Sequence, residues 1–180
     1  MTGAGRPPQP APEITRLSAA DFAGSVAGLA DLLTAVVASG ASLGFRAPFG
    51  RDEAAAWWRA QEPAVVAGRL TVWVAGHAGT VSLVREAKPN GRHRGEVVKL
   101  MVHPDARGRG LGRALLRTAE RAAAQAGATL LLLDTETGSA ADRLYLAAGW
   151  IRYGIVPDYA ADPGGSLRDC SFYYKALPPP

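Results

Sequence analysis

Apolar residues in the first third of the chain recur every three or four positions. Val26, Leu29, Leu33, Val36 and Val37 fall on one helical face, which predicts an amphipathic helix over Asp21–Ser39. Ser18 stands ahead of it with Asp21 three residues on, an imperfect capping box, and Gly40 ends it. Ile14–Leu17 reads as a short strand before this helix. Asp52–Ala60 predicts a second helix, with Asp52 and Glu53 in the first turn, where the helix dipole favours negative charge. Between the two lies Ala41–Gly50, a glycine- and proline-broken loop that carries Phe45 and Phe49.

The period then shortens. Leu70–Ala75 and Thr80–Arg85 are β-branched runs around Gly76-His77-Ala78-Gly79, the pattern of a hairpin, and Glu96–Val102 is a third run closed by Pro104. Arg109–Ala126 predicts a strong helix ended by Gly127, and Thr129–Leu133 a continuous apolar strand. Ser139–Ala148 is a further helix, capped by Ser139 and Asp142 and stopped by Gly149; Trp150–Val156 and Ser171–Lys175 finish as strands. A meander followed by alternating strands and helices predicts a mixed α/β sheet. In 180 residues it predicts one domain, 14–177, between a Pro/Gly-rich leader, 1–13, and a tail, 178–180, both expected to be disordered.

Hydrophobic residues make up 48% of the chain, but 35 residues are alanine, so large core side chains are fewer than that share suggests. They still suffice, because a domain of about 150 residues buries roughly two thirds of its unfolded surface. No run approaches the ~18 uninterrupted apolar residues of a membrane span, and Met1–Glu13 holds no apolar signal region. Cys170 stands alone, which excludes a disulfide framework and a cysteine-based metal site, and His77, His93 and His103 lack metal-ligand spacing. The expectation is a cytoplasmic protein without a metal or a membrane partner. A net charge of +4 is too small to name nucleic acid as the partner by itself.

Arginine is nonetheless clustered at Arg107, Arg109, Arg113, Arg117 and Arg121. Between the strand ending at Val102 and the helix after it lies R107-G-R-G-L-G-R113, with Gly108, Gly110 and Gly112 at the turn. Glycines there let several backbone N–H groups point at one anion, with the helix dipole adding favourable charge. The spacing fits neither the Walker A loop nor G-x-G-x-x-G, both of which need glycine at position 113. A solvated basic loop, or a phosphate-tracking stripe for nucleic acid, is the competing reading; no aromatics are interleaved with these arginines.

The turn resembles the R/Q-x-x-G-x-G/A motif of the GNAT N-acetyltransferase superfamily, as Arg107, Gly110 and Gly112. E96-V-V-K-L-M-V-H-P104 before it is similar to the family's fourth strand, and L130-L-L-L-D-T-E136 to its fifth. L144-Y-L-A-A-G-W150 looks like the family's tyrosine-bearing helix. The finer likeness is to the tabtoxin-resistance acetyltransferase type, through H93-R-G-E-V-V-K-L-M-V102, L133-D-T-E-T-G-S139, V156-P-D-Y159 and Y174-K175. The resemblance, spanning about Ile14 to Leu177, implies an α+β fold: a mostly antiparallel sheet of about six to seven strands flanked by about four helices. It implies acetyl-CoA as cosubstrate and a small amine, a toxin or antibiotic, as acceptor. A protein or peptide amine, or a non-catalytic acetyl-CoA sensor, is the alternative. Monomer and homodimer stay open.

Carried over residue by residue, the resemblance puts the cofactor diphosphate on Arg107, Gly108, Arg109, Gly110, Leu111, Gly112 and Arg113. It puts the pantetheine arm along Leu100, Met101 and Val102, where the family's fourth strand splays from the fifth and a backbone N–H near Leu100 faces the developing oxyanion. Arg117 and Arg121 read as a solvated face. A primary amine with a pKa of about 10.4 must lose a proton before attack, and Glu96, eleven residues before Arg107, is the candidate base. Its competing role is a salt bridge to Arg92 or Arg94. Asp134 and Glu136 could serve instead, or bind the acceptor's positive charge. Tyr145 matches the tyrosine that protonates the leaving thiolate; its competing role is a core aromatic. Many members carry asparagine seven residues earlier, where this chain has Gly138, which puts that cofactor contact in doubt. Phe45 and Tyr159 are candidate acceptor contacts, beside Phe49, Trp57, Trp58 and the Asp162–Gly165 loop, for which packing is the competing role. Cys170 is read as a small strand residue, with a ping-pong nucleophile as the lesser alternative.

Overall fold

In the computed structural model, which describes residues 13–178, the Ser18 hydroxyl accepts the amide of Asp21 and starts the first helix where the capping box predicts. The expected leader and tail lie outside the described residues except for Glu13 and Pro178. The elements run β1 (Thr15–Arg16), α1 (Ala19–Ala38), α2 (Arg51–Arg59), α3 (Glu62–Val66), β2 (Leu70–Val74), β3 (Gly79–Arg85), β4 (Arg94–Val102), α4 (Leu111–Gln125), β5 (Leu130–Glu136), α5 (Ala140–Ala147), β6 (Ile151–Ala161) and β7 (Leu167–Ala176). Four helices have eight residues or more; α3 is a short helix of five residues with Pro63 in its first turn, too short to carry a period.

The seven strands form one sheet in the order β1-β2-β3-β4-β5-β7-β6, antiparallel throughout except for β4 and β5. Each face has its own core. Phe22, Leu29, Leu33, Trp58, Val72 and Met101 fill the α1/α2 side, and Leu115, Leu116, Leu131, Leu133, Tyr145 and Tyr173 the α4/α5 side. Helix α1 has a mean hydropathy of 1.5 over an 18-residue window, long and apolar enough by composition to cross a bilayer. Its apolar residues are instead the stripe packed on α2, α3 and β4, while Asp21 and Asp31 face out.

Two departures from regular pairing shape the middle of the sheet. The first is a β-bulge: Thr80 faces Met101 but Ser82 faces Val98, so Lys99 and Leu100 together oppose Val81. The extra residue reverses the alternation of β4. Val97 joins the α4 core, yet Met101, four residues on, joins the α1 core. Lys99 carries the bulge in the left-handed region, φ +51, at a cost of about 1–2 kcal/mol for a residue with a side chain. The second departure is a fork. β4 pairs with β5 only over Arg94–Glu96 against Leu130–Leu132; beyond it β4 keeps β3 as its partner and β5 keeps β7.

The last two strands run beyond their expected limits, β6 to Ala161 and β7 back to Leu167. The expected strand stops at Val156, before Pro157, but β6 is an edge strand, where a proline is tolerated. The ladder slips between Val156 and Ala160, with Asp158 at φ +51. These extended strands carry the 162–166 turn past the end of β5 and toward the loop after α1.

Candidate active site

The glycine-arginine turn delivers what its sequence promises, bare amides at a helix start. Gly110 caps α4 at φ +78 and offers no side chain to its amides. The first bond closed in the helix is Ala114 N–H to the Gly110 carbonyl, at 3.0 Å, so among the described residues the amides of Leu111, Gly112 and Arg113 have no backbone acceptor. Such a donor set fits a diphosphate. The arginines divide. Arg107 Nε donates to the Val102 carbonyl at 3.2 Å and its Nη2 to Ser39 Oγ at 2.8 Å, so its side chain struts the turn against β4 and α1. Arg113 Nη2 reaches the Ala147 carbonyl at 3.2 Å and ties α4 to the end of α5. Arg109 is exposed beside the turn, and Arg117 and Arg121 are exposed further along α4.

Glu96 and Leu132 are the last paired residues of β4 and β5, so Glu96 stands at the point of the fork. Its competing role fails: Arg94 pairs with Glu86, at 2.9 Å, and among the described residues Glu96 has no ion pair. A cleft of about 440 Å³ opens beside it, bounded by Gln61 just before α3, Ala64 of α3, Val84 and Leu132. Part of Glu96 faces this open space. Burial of its carboxyl nonetheless raises the pKa, the charge of Asp134 raises it further, and Lys99 pulls it back down.

Asp134 lies on the next strand, on the same face as Leu132 and Glu136. Its charge reaches four groups: Glu96, Lys99, Tyr145 and Cys170. Tyr145 comes from α5 on the α4 side of the sheet, its ring 6.0 Å from both Trp150 and Tyr173. It is a core aromatic, and it is near enough to Asp134 to feel that charge. Burial, then Asp134, hold its pKa well above the usual 10, so the phenol keeps its proton at neutral pH. Cys170 lies opposite Glu136 on β7, with its sulfur 3.4 Å from Asp134 Oδ2; burial and that carboxylate push the thiol up to about 12. A nucleophile needs the reverse.

On the α1/α2 face the loop at 41–50 closes over β4. Lys99 Nζ donates to the Leu43 carbonyl at 2.9 Å and lies 5.4 Å and 5.1 Å from the Phe45 and Trp57 rings. Phe45 also packs on Phe49 and Trp57, so it is half core and half site wall. Trp58 is fully buried, and there the packing role stands. Across the gap Ala47 N–H meets the Pro163 carbonyl at 2.9 Å, joining the loop to the β6–β7 turn. Tyr159 is 53% exposed, its ring edge-on to Phe172, which pairs with Asp134. The structure thus gathers Glu96, Asp134, Phe45 and Tyr145 about the fork, with Glu136 and Tyr159 further along the strands.

Gly138 takes the left-handed conformation, φ +78, and donates its N–H to the Asp142 carboxylate at 2.9 Å. Glycine and asparagine are the residues that best adopt this conformation, so glycine here keeps the turn and lacks only the side-chain amide. Sequence reasoning passed over Lys99. Nothing in E96-V-V-K-L-M-V102 marks its fourth residue as a bulge.

Residues 68–152 match the family model described as an acetyltransferase (GNAT) domain, a stretch that holds Glu96, the glycine turn and Tyr145. Among solved structures, yncA of Salmonella typhimurium, solved with its cofactor acetyl-CoA, is 24% identical, with a TM-score of 0.69 over 93% of this chain and 94% of that one. The acetyltransferase of GNAT family from Streptococcus pneumoniae is 20% identical, TM-score 0.69, covering 92% and 100%. A ribosomal-protein-alanine N-acetyltransferase from Brucella melitensis is 22% identical, TM-score 0.66, covering 92% and 99%. These likenesses show a shared fold, and the expected mostly antiparallel α/β architecture is the observed one.

Proposed function

We propose that this chain, an acetyl-CoA-dependent acetyltransferase by its domain, transfers the acetyl group directly to the primary amine of a small molecule. The observation that carries the reading is the fork: β4 and β5 part at Glu96, and the bare amides of α4 stand beyond the far end of β4. Acetyl-CoA supplies a thioester-activated acetyl group, and the amides of Leu111, Gly112 and Arg113, with Arg109 beside them, would hold its diphosphate. Leu100, Met101 and Val102 offer the strand along which its arm would lie.

The chain's own groups then divide the proton work. Glu96, at the edge of a cleft open to solvent, takes a proton from the acceptor amine, directly or through water. A raised carboxyl pKa strengthens it as a base. Tyr145 is the candidate proton donor to the departing thiolate; because its pKa lies above the thiol's, about 8.5, the transfer is uphill and the phenol serves as a hydrogen-bond donor while the C–S bond breaks. Asp134 and Glu136 would attract an acceptor that arrives as a cation.

Two observations favour a small acceptor. The Ala47–Pro163 bond ties the two loops that flank the gap, and Lys99 fixes the first of them over β4. A protein or peptide amine is the second reading, since the Brucella melitensis relative is named for a ribosomal-protein alanine. The tabtoxin-resistance type belongs to the proposal on the strength of the motifs alone, and a cytoplasmic setting on the lone cysteine.

Calorimetry with acetyl-CoA, followed by release of free CoA thiol against a panel of amines, tests the proposal. Binding that survives in Glu96→Gln while turnover drops supports it. Absence of acetyl-CoA binding to the wild type overturns it.

A further inference from the structure

Lys99 is in the wrong conformation for a lysine and in the wrong place for a surface cation. The bulge needs a left-handed residue, which glycine would supply freely, yet the position carries a long side chain. That side chain does not extend into water. It is half-buried, its ammonium bound to the Leu43 carbonyl and set against Phe45 and Trp57. It also stands within charge range of both carboxylates at the fork.

Two carboxylates that share a site without a cation drive one of them to take up a proton. The groups around Glu96 are Asp134 from β5, Lys99 and Arg94 from β4, and Glu86 just past β3; Arg69 and Arg85 line the same cleft, and Gln61 before α3 and Ala64 within it are neutral. Arg94 and Glu86 neutralise each other at 2.9 Å. Of the remaining cations, Lys99 is the one whose charge acts on the Glu96 carboxyl. Lys99 is therefore the cation placed to offset Asp134.

We infer that Lys99 is a positioning residue of the transfer reaction, pinning the 41–50 loop to β4 as a wall of the acceptor site and setting its ammonium charge beside Glu96 and Asp134. The inference rests on the reading of Glu96 as the base.

Lys99→Met keeps most of the stem and removes the charge. Glu96 then ionises only at higher pH, so the acid limb of kcat/KM moves to higher pH. The acceptor KM rises about tenfold, the factor a lost charged hydrogen bond carries, and acetyl-CoA affinity in calorimetry is unchanged. Lys99→Arg retains the charge and restores the limb. In the protein without any ligand, the ¹³C carboxyl titration of Glu96 moves up in Lys99→Met, a readout independent of turnover. Should Lys99→Met fail to fold, Lys99→Gly, which suits the φ of +51, replaces it. A folded variant with an unmoved Glu96 titration and an unmoved acceptor KM overturns the inference. Full turnover in Glu96→Gln would instead overturn the base assignment, leaving the loop-pinning KM effect as a separate result.

Discussion

Cys170 Sγ lies 3.4 Å from Asp134 Oδ2, so the one thiol of the chain points at the carboxylate on which the charges of the site converge. The contact reads two ways in chemistry. A thiol beside a carboxylate resembles an activated nucleophile, but the carboxylate's charge opposes the thiolate, and burial opposes it more. With its pKa pushed up to about 12, the thiol stays protonated across the working range. Cys170→Ala is expected to retain turnover within about threefold, and the native protein to resist iodoacetamide at pH 8. A trapped acetyl-cysteine after rapid quench would establish the ping-pong route instead.

Asp134 acts on Glu96 with the opposite sign to Lys99. Its negative charge disfavours a second carboxylate, so Asp134→Asn lowers the pKa of Glu96 toward the ordinary carboxylate value. The acid limb of kcat/KM is then expected to move to lower pH, with activity retained. If Asp134 is itself the base, the same variant loses turnover altogether while Glu96→Gln keeps it. Full pH profiles of the two variants, measured on one acceptor, separate these outcomes.

Much of this was legible in the chain because the signals are local. Ser18 with Asp21 and Ser139 with Asp142 cap their helices as their three-residue spacing predicts. The glycines of R107-G-R-G-L-G-R113 need only their own backbone to expose the amides of α4. What could not be read depends on partners far along the chain. Lys99 reaches Leu43 across 56 positions, Cys170 reaches Asp134 across 36, and Ala47 meets Pro163 from a different loop. The full length of β6 was hidden by Pro157 and Asp158, which keep an irregular backbone where the ladder slips between Val156 and Ala160, after which the strand pairs with β7 again.

The glycines of the turn are not equivalent. Gly110 sits at φ +78, where alanine is strained by about 1–2 kcal/mol, so Gly110→Ala must twist the cap and turn the amides of Leu111 and Gly112 away. Gly112 is already helical, and a Cβ there would meet Leu144 at 3.4 Å and Val102 at 3.6 Å, ordinary contact distances. Calorimetry is expected to show acetyl-CoA affinity reduced about tenfold or more in Gly110→Ala and little changed in Gly112→Ala. Equal losses in both would mean that crowding, not amide direction, governs the turn.

Tyr145 is asked to serve both packing and chemistry, and Tyr145→Phe separates the two. The ring keeps its contacts with Trp150 and Tyr173, so the melting temperature at pH 7 should barely move, while loss of the proton donor lowers kcat about a hundredfold. Alkaline stability gives an independent check. Unfolded tyrosines ionise near pH 10, whereas burial holds Tyr145 well above that and pushes Tyr173, whose hydroxyl donates to Asp142, up to about 12. Between those limits the unfolded chain loses protons that the folded chain keeps. The stability from keeping both phenols neutral is thus complete below about pH 10 and drains away as pH climbs toward the folded values. Urea midpoints measured from pH 8 to 11.5 should fall above about pH 10, and less steeply in Tyr145→Phe, which has one fewer buried phenol. A Tyr145→Phe curve parallel to the wild type would mean that the Tyr145 hydroxyl is open to solvent and ionises like an ordinary phenol.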